Sequence, residues 1–326
     1  MIFHLALIGA ITRLTESGLS ITEWQPVKGA LPPLSASDWQ KAFDLYKATP
    51  QYRAINQGMS LEEFKNIFFW EWLHRLWGRL IGLVYAAGLV WFWVRKEIPQ
   101  GFKLPLFAAL VLGGLQGLIG WLMVKSGLQP GMASVSPYRL AAHLAMALVL
   151  YGFIYLQILR LWPLPHLLRA PTGLRVHAGI GLAMLSLAIV WGALVAGLDA
   201  GKIYNTFPDM NGRFFPSDFA ALPNYWQNLF ENPAAVQWMH RCITISTAVV
   251  LLALALGIQK TFEGNKNAQW VALAVGTFSL LQPALGVATL LTGVNIYLGV
   301  AHQAGAIMLL TAVLTSLHVL GKPKTA

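Results

Sequence analysis

Cysteine is almost missing from this chain, and charge is scarce. Of 326 residues only Cys242 is a cysteine, which excludes an internal disulfide and any cysteine-based metal cluster, so a metal or cofactor needs other ligands. Charged residues make up 11% of the chain, against 56% apolar ones. That balance excludes an ordinary soluble domain of this length and describes an all-α integral membrane protein surrounded by membrane lipid. The formal net charge is +10, but the Lys and Arg residues stand in short loops between apolar runs. No basic stripe is interleaved with aromatics, so nucleic acid is not an expected partner.

Crossing about 30 Å of hydrocarbon takes roughly 20 residues. Runs of that length lie near residues 72–94, 104–124, 139–162, 174–197, 236–258, 268–292 and 296–320. The opening run, IFHLALIGAI, is half a span and reads as a first helix whose beginning is missing, giving eight in all. Arg95, Lys96, Lys103, Arg160, Arg169, Arg175, Lys260, Lys266, Lys322 and Lys324 mark the cytoplasmic ends. The other side receives two long segments, 14–66 and 198–234, rich in Pro, Gly, Asp and aromatics. Each follows an odd-numbered helix and is expected to cap a site on that side.

The chain repeats itself. WEWLHR (70–75) aligns with VQWMHR (236–241) at an offset of 166 residues, which also pairs LQGLIG (115–120) with LQPALG (281–286). After a shorter second loop, PYRLAAHLA (137–145) aligns with IYLGVAHQA (296–304). Each copy holds an even number of spans, so the expected fold is two pseudo-symmetric four-helix bundles in parallel orientation, divided near 165/166.

The repeat isolates four of the eight histidines: His74 and His143, then His240 and His302. All four fall near the start of even-numbered helices, at one depth, where ionisable groups are costly and usually functional. Two facing imidazoles in a four-helix bundle suit an axially ligated haem. Gly78 and Gly82, on the face of His74, leave room for a flat macrocycle, although their spacing is also a helix-packing signal. His4, His166, His177 and His318 have no such pattern and read as structural. Arg75, Arg79, Arg139 and Arg241 stand beside the ligand candidates, as donors to haem propionates or, most evenly balanced for Arg79, as groups snorkelling to lipid phosphate.

The two copies differ at one informative position. Glu71 lies three residues before His74, and its counterpart is Gln237. A carboxylate moves protons or stabilises a developing cation, whereas an amide only hydrogen-bonds. The first copy is therefore expected to hold the chemistry and the second a haem that serves it by electron transfer. The alternative is that Glu71 only orients His74 or pairs with Arg75.

Several stretches together are highly specific: TRLTESGLSITEWQPVKGALPPLS (12–35), EFKNIFFWEWLHRLWGRLIG (63–82), LGGLQGLIGWLMVKSGL (112–128), YRLAAHLA (138–145), AGLDAGKIYNTFPDMNG (196–212), QWMHR (237–241) and GVAHQAGA (299–306). Over essentially its whole length the chain resembles the haem A synthase family, in its alphaproteobacterial and mitochondrial form. The resemblance implies that the C8 methyl group of haem O is oxidised to a formyl by two hydroxylations and loss of water. It assigns Glu71, His74 and His143 to the substrate half and His240 and His302 to a cofactor haem b. It further implies a bacterial inner membrane location with haem sites toward the periplasm, contact with haem O synthase and oxidase assembly factors, and it is compatible with a homo-oligomer. Some members carry a cysteine pair in the first outer loop; residues 14–66 contain none.

Two other readings compete. A dihaem b-type cytochrome that only passes electrons between quinol and a partner would need the same histidines, but not Glu71 or so long a first loop. A parallel-repeat transporter would need a midplane site with broken helices.

Overall fold

The computed structural model describes residues 1–25, 28–161 and 168–321. Among them the chain is helical, with no β-strand: α1 (Ile2–Leu14), α2 (Ala36–Lys47), α3 (Pro50–Ala54), α4 (Leu61–Val94), α5 (Lys103–Gly127), α6 (Pro137–Leu161), α7 (Thr172–Gly197), α8 (Tyr225–Glu231), α9 (Pro233–Thr261), α10 (Lys266–Leu291) and α11 (Ile296–Val319). Seven of these, α4 to α7 and α9 to α11, are long and apolar enough to cross a membrane. At 1.5 Å per residue, α1 with its 13 residues is shorter than a full span.

Caps written in the sequence set several of the starts. Asn232 accepts from the Ala234 and Ala235 amides ahead of Pro233, while Asn265 and Asn295 cap α10 and α11 in the same way. Helix α4 begins well before the expected span at residue 72, because Ser60 and Glu63 form a reciprocal capping box there. Its extra turns are amphipathic, and Phe64 and Phe68 pack with Phe43 and Tyr46 into a buried aromatic core. The Phe43 and Phe64 rings stack at 4.9 Å, and Tyr46 donates to Gln51, which donates in turn to the Glu16 carbonyl. The first long loop is therefore a small folded layer seated on the N-terminal end of α4.

The chain forms two units, Met1–Leu150 and Tyr151–Ala326, and the division falls inside α6. The boundary expected at 165/166 lies outside the described residues, as do His166, Lys322 and Lys324. In the first unit α4 packs against α1 and α5, and Arg139 of α6 donates to the Leu122 carbonyl of α5 at 2.6 Å. In the second, α7, α9, α10 and α11 close a ring in which each packs on its neighbours. Its core is Leu251, Leu254, Ile258, Val275, Ile307 and Val313, all buried. Gly181 admits Leu251 so closely that a Cβ there would lie 2.6 Å from a Leu251 methyl. Trp91, Trp93 and Trp270 are exposed beside the basic helix ends, where indoles favour a lipid interface.

Candidate functional site

The polar residues of α4 are clasped by the loop that precedes it. Glu71, 2% exposed, accepts from the Ser20 hydroxyl at 2.7 Å, the Ile21 amide at 2.7 Å and the Arg75 guanidinium at 2.5 Å. Arg75 also donates to the Ile21 and Glu23 carbonyls and lies over the Trp24 ring. Trp72 donates to the Ala30 carbonyl, and Arg79 to that of Gln25. A buried carboxylate is tolerable only when paired and hydrogen-bonded, and this one is both.

The second unit repeats the clasp with one inversion. Arg241 donates to the Tyr204 and Asp209 carbonyls and to Gln237 Oε1, and Trp238 donates to the Phe214 carbonyl. Where Glu71 accepts from its loop, Gln237 donates through Nε2 to the Ala200 carbonyl at 2.7 Å and the Tyr204 carbonyl at 3.3 Å. The Asp209 side chain anchors the same loop, accepting from the Thr206 hydroxyl and the Gly212 amide, which hold its carboxyl below the ordinary range. The residue at this position of the helix thus matches the polarity its own loop presents: donors in the first unit, backbone acceptors in the second.

Each ligand candidate lies against a glycine of the neighbouring helix. A Cβ added at Gly9 of α1 would lie 2.9 Å from His74 Cε1, and one at Gly120 of α5 would lie 2.7 Å from His143 Cε1. The corresponding distances are 3.1 Å from Gly192 of α7 to His240 and 2.9 Å from Gly286 of α10 to His302. His74 lies within electrostatic reach of His143, and His240 of His302. The Nδ1 atoms of His74, His240 and His302 are shielded from solvent and have no hydrogen-bond partner. His143 differs: Gln116 places its amide nitrogen 3.1 Å from the ring Nδ1 while also bonding the His143 carbonyl. The counterpart, Gln282, bonds only the carbonyl of His302.

The COX15-CtaA family, described as cytochrome oxidase assembly protein, matches residues 1–314. The chain belongs to this family. It is 49% identical over its full length to a protein named Heme A synthase from Rhodospirillum centenum, covering 87% of that protein. Proteins of the same name from Caulobacter vibrioides and Agrobacterium fabrum are 46% and 45% identical over 95% of the chain, with 90% and 84% of their own lengths covered.

For a family associated with haem, the residues here are suitable. Among the described residues no three or more His, Cys, Asp or Glu side chains gather as a multidentate metal site. Single histidines, three of them (His74, His240 and His302) with a shielded ring nitrogen that has no partner, are what axial haem ligation asks for, whereas His143 shares its ring with a side-chain amide. Gly78 and Gly82 have nothing within 4 Å of an added Cβ, so that face of α4 is open. His177 instead bonds the Val250 carbonyl and His4 packs on Trp77, both structural placements. Sequence reading did not single out Ser20, Gln116, Gln282 or the four seating glycines. The signal for some was present, since LQGLIG and LQPALG carry Gln116 with Gly120 and Gln282 with Gly286.

Losing one bond to a buried carboxylate has a measurable cost. Ser20→Ala removes one of the donors on Glu71 and should destabilise the purified protein by about 1.5–3 kcal/mol, read as a lower melting temperature, with Ser20→Thr restoring most of it. An unchanged melting temperature in Ser20→Ala would mean that this contact does not hold the loop.

Proposed function

We propose that this chain is a membrane oxidoreductase that takes haem O as substrate and oxidises its C8 methyl group to a formyl, yielding haem A. What carries the reading is the likeness, over nearly the whole chain, to proteins named Heme A synthase. In the proposed architecture α1 is the counterpart of α7, since both place a glycine against the first histidine of their unit. The eight helices then form two pseudo-symmetric four-helix bundles in parallel, with residues 1–165 as the substrate half and 166–326 as the cofactor half.

His74 and His143 hold the iron of haem O. His240 and His302 hold haem b, which when bound supplies one-electron transfer. Arg75, Arg79 and Arg139 in the first half and Arg241 in the second attract propionates as guanidinium donors carried on the same helices as the histidines. Glu71 is the proton-handling or cation-stabilising group at the substrate. Ser20, Ile21 and Arg75 fix its carboxylate and seal the loop over the N-terminal end of α4, which excludes water from the site. The basic loops at the opposite helix ends support a periplasmic position for these sites in a bacterial inner membrane. Haem O arrives from a haem O synthase, and haem A leaves toward oxidase assembly factors.

The test is haem extraction and chromatography from the purified chain, made in cells with and without haem O synthase. Haem B together with haem O or its oxidised products is the expected content. Haem B alone in both backgrounds would favour the dihaem electron-transfer cytochrome, and no haem at all would sink both.

A further inference from the structure

Alanine is a better helix former than glycine, so a glycine inside a helix needs a reason. Four of the glycines in this chain share one. Gly9, Gly120, Gly192 and Gly286 each stand where a Cβ would fall 2.7–3.1 Å from the Cε1 atom of a ligand candidate, on four different helices. Others on the same helices do not: Gly113 and Gly117 of α5 and Gly179 of α7 have nothing within 4 Å, and Gly276 of α10 has only an ordinary contact at 3.6 Å.

At three of the seats the residue four positions earlier adds to the pattern. The backbone carbonyl of Leu5, four before Gly9, faces the His74 imidazole. That of Ala188, four before Gly192, faces His240, and that of Gln282, four before Gly286, faces His302. Gly120 is the exception: the residue four earlier is Gln116, whose side-chain amide nitrogen, a donor, lies 3.1 Å from His143 Nδ1. In an α-helix the carbonyl of residue i already accepts from the amide of i+4, and the side chain at i+4 normally stands beside it. A glycine at i+4 bares that carbonyl to an imidazole from the next helix. The His74, His240 and His302 rings, each with a buried Nδ1 that has no hydrogen-bond partner, thus lie against helix backbone that has an acceptor to offer.

We propose that Gly9, Gly120, Gly192 and Gly286 are positioning residues for the four haem-ligating histidines, each giving the Cε1 edge of the imidazole a berth on the neighbouring helix that fixes the ring plane and leaves a ring nitrogen for iron. An oriented Nδ1–H with a fixed acceptor sets the tautomer and raises ligand basicity, and loss of such an outer partner typically costs ten- to a hundredfold in affinity. The proposal rests on the ligand assignment above.

Variants of the purified full-length chain test it in the second half, where haem b is read without turnover. Gly286→Ala and Gly192→Ala are compared with Gly276→Ala and Gly179→Ala for haem b per protein, low-temperature EPR g values and midpoint potential. The seat variants are expected to lose haem b affinity by about tenfold or to shift both g values and potential, Gly286→Ala more than Gly192→Ala, while the other two match wild type. If Gly286→Ala does not accumulate, Gly192→Ala carries the test, since at 3.1 Å the ring has only a few tenths of an ångström to give. Wild-type haem content, g values and potential in both seat variants would overturn the proposal. Failure of the ligand assignment has a separate signature: a bis-histidine low-spin signal that survives in His302→Ala.

Discussion

Glu71→Gln should abolish most haem A formation, by about a hundredfold or more, while haem O accumulates and the b-type spectrum persists. The change copies the residue of the second unit, yet it cannot copy its setting. Gln237 works because the Ala200 and Tyr204 carbonyls accept from its amide, whereas position 71 faces the Ser20 hydroxyl, the Ile21 amide and the Arg75 guanidinium, all donors. An amide there can turn only its oxygen to them, and its NH2 group meets a donor. Breaking a buried ion pair by neutralising one partner costs about 3–5 kcal/mol, so the loop over the site should also loosen. The readouts separate the contributions. Lost haem A with normal protein yield and normal haem b places Glu71 in the chemistry; normal haem A would make it a brace and remove the main support for dividing the labour between the halves. The reciprocal Gln237→Glu sets a carboxylate against two carbonyls and should cost folded protein rather than change which haem is made.

His302→Ala should strip the chain of its low-spin haem b signal, a loss exceeding the ten- to hundredfold typical of an outer partner, and haem A should fall to background with it. The protein should still insert, because the core of the second unit is built from Leu251, Leu254, Ile258, Val275, Ile307 and Val313, none of which depends on the imidazole. His143→Ala is the contrasting case: haem b retained, haem A absent. If both variants lose the same haem, or neither loses any, the assignment of His74 with His143 to substrate and His240 with His302 to cofactor fails.

Much of this was legible in the sequence. Apolar run length decides that a segment is helical in a bilayer, since every backbone amide must be satisfied within the segment, and the seven long helices follow from that alone. The repeat isolated His74, His143, His240 and His302 because an imidazole that returns at the same register is visible in one dimension. The apolar run near 72–94 is the membrane part of α4, since hydropathy marks only that part, whereas the Ser60–Glu63 capping box marks where the helix begins.

What composition, periodicity and residue type determined, then, is the solvent, the helices and the candidate ligands, because those depend on chemistry carried by each residue and its near neighbours. Only the tertiary structure decided what the polar groups of FFWEWLHRLWGRL are bound to. Glu71 meets Ser20 and Ile21 from fifty residues earlier, two of its three partners there are fixed by loop conformation, and a backbone amide looks the same in any sequence. The same holds for the glycines. Gly78 and Gly82 drew notice by their spacing from His74, but Gly9, on another helix, is the one whose missing Cβ makes room for the imidazole, and that proximity exists only once the helices are packed.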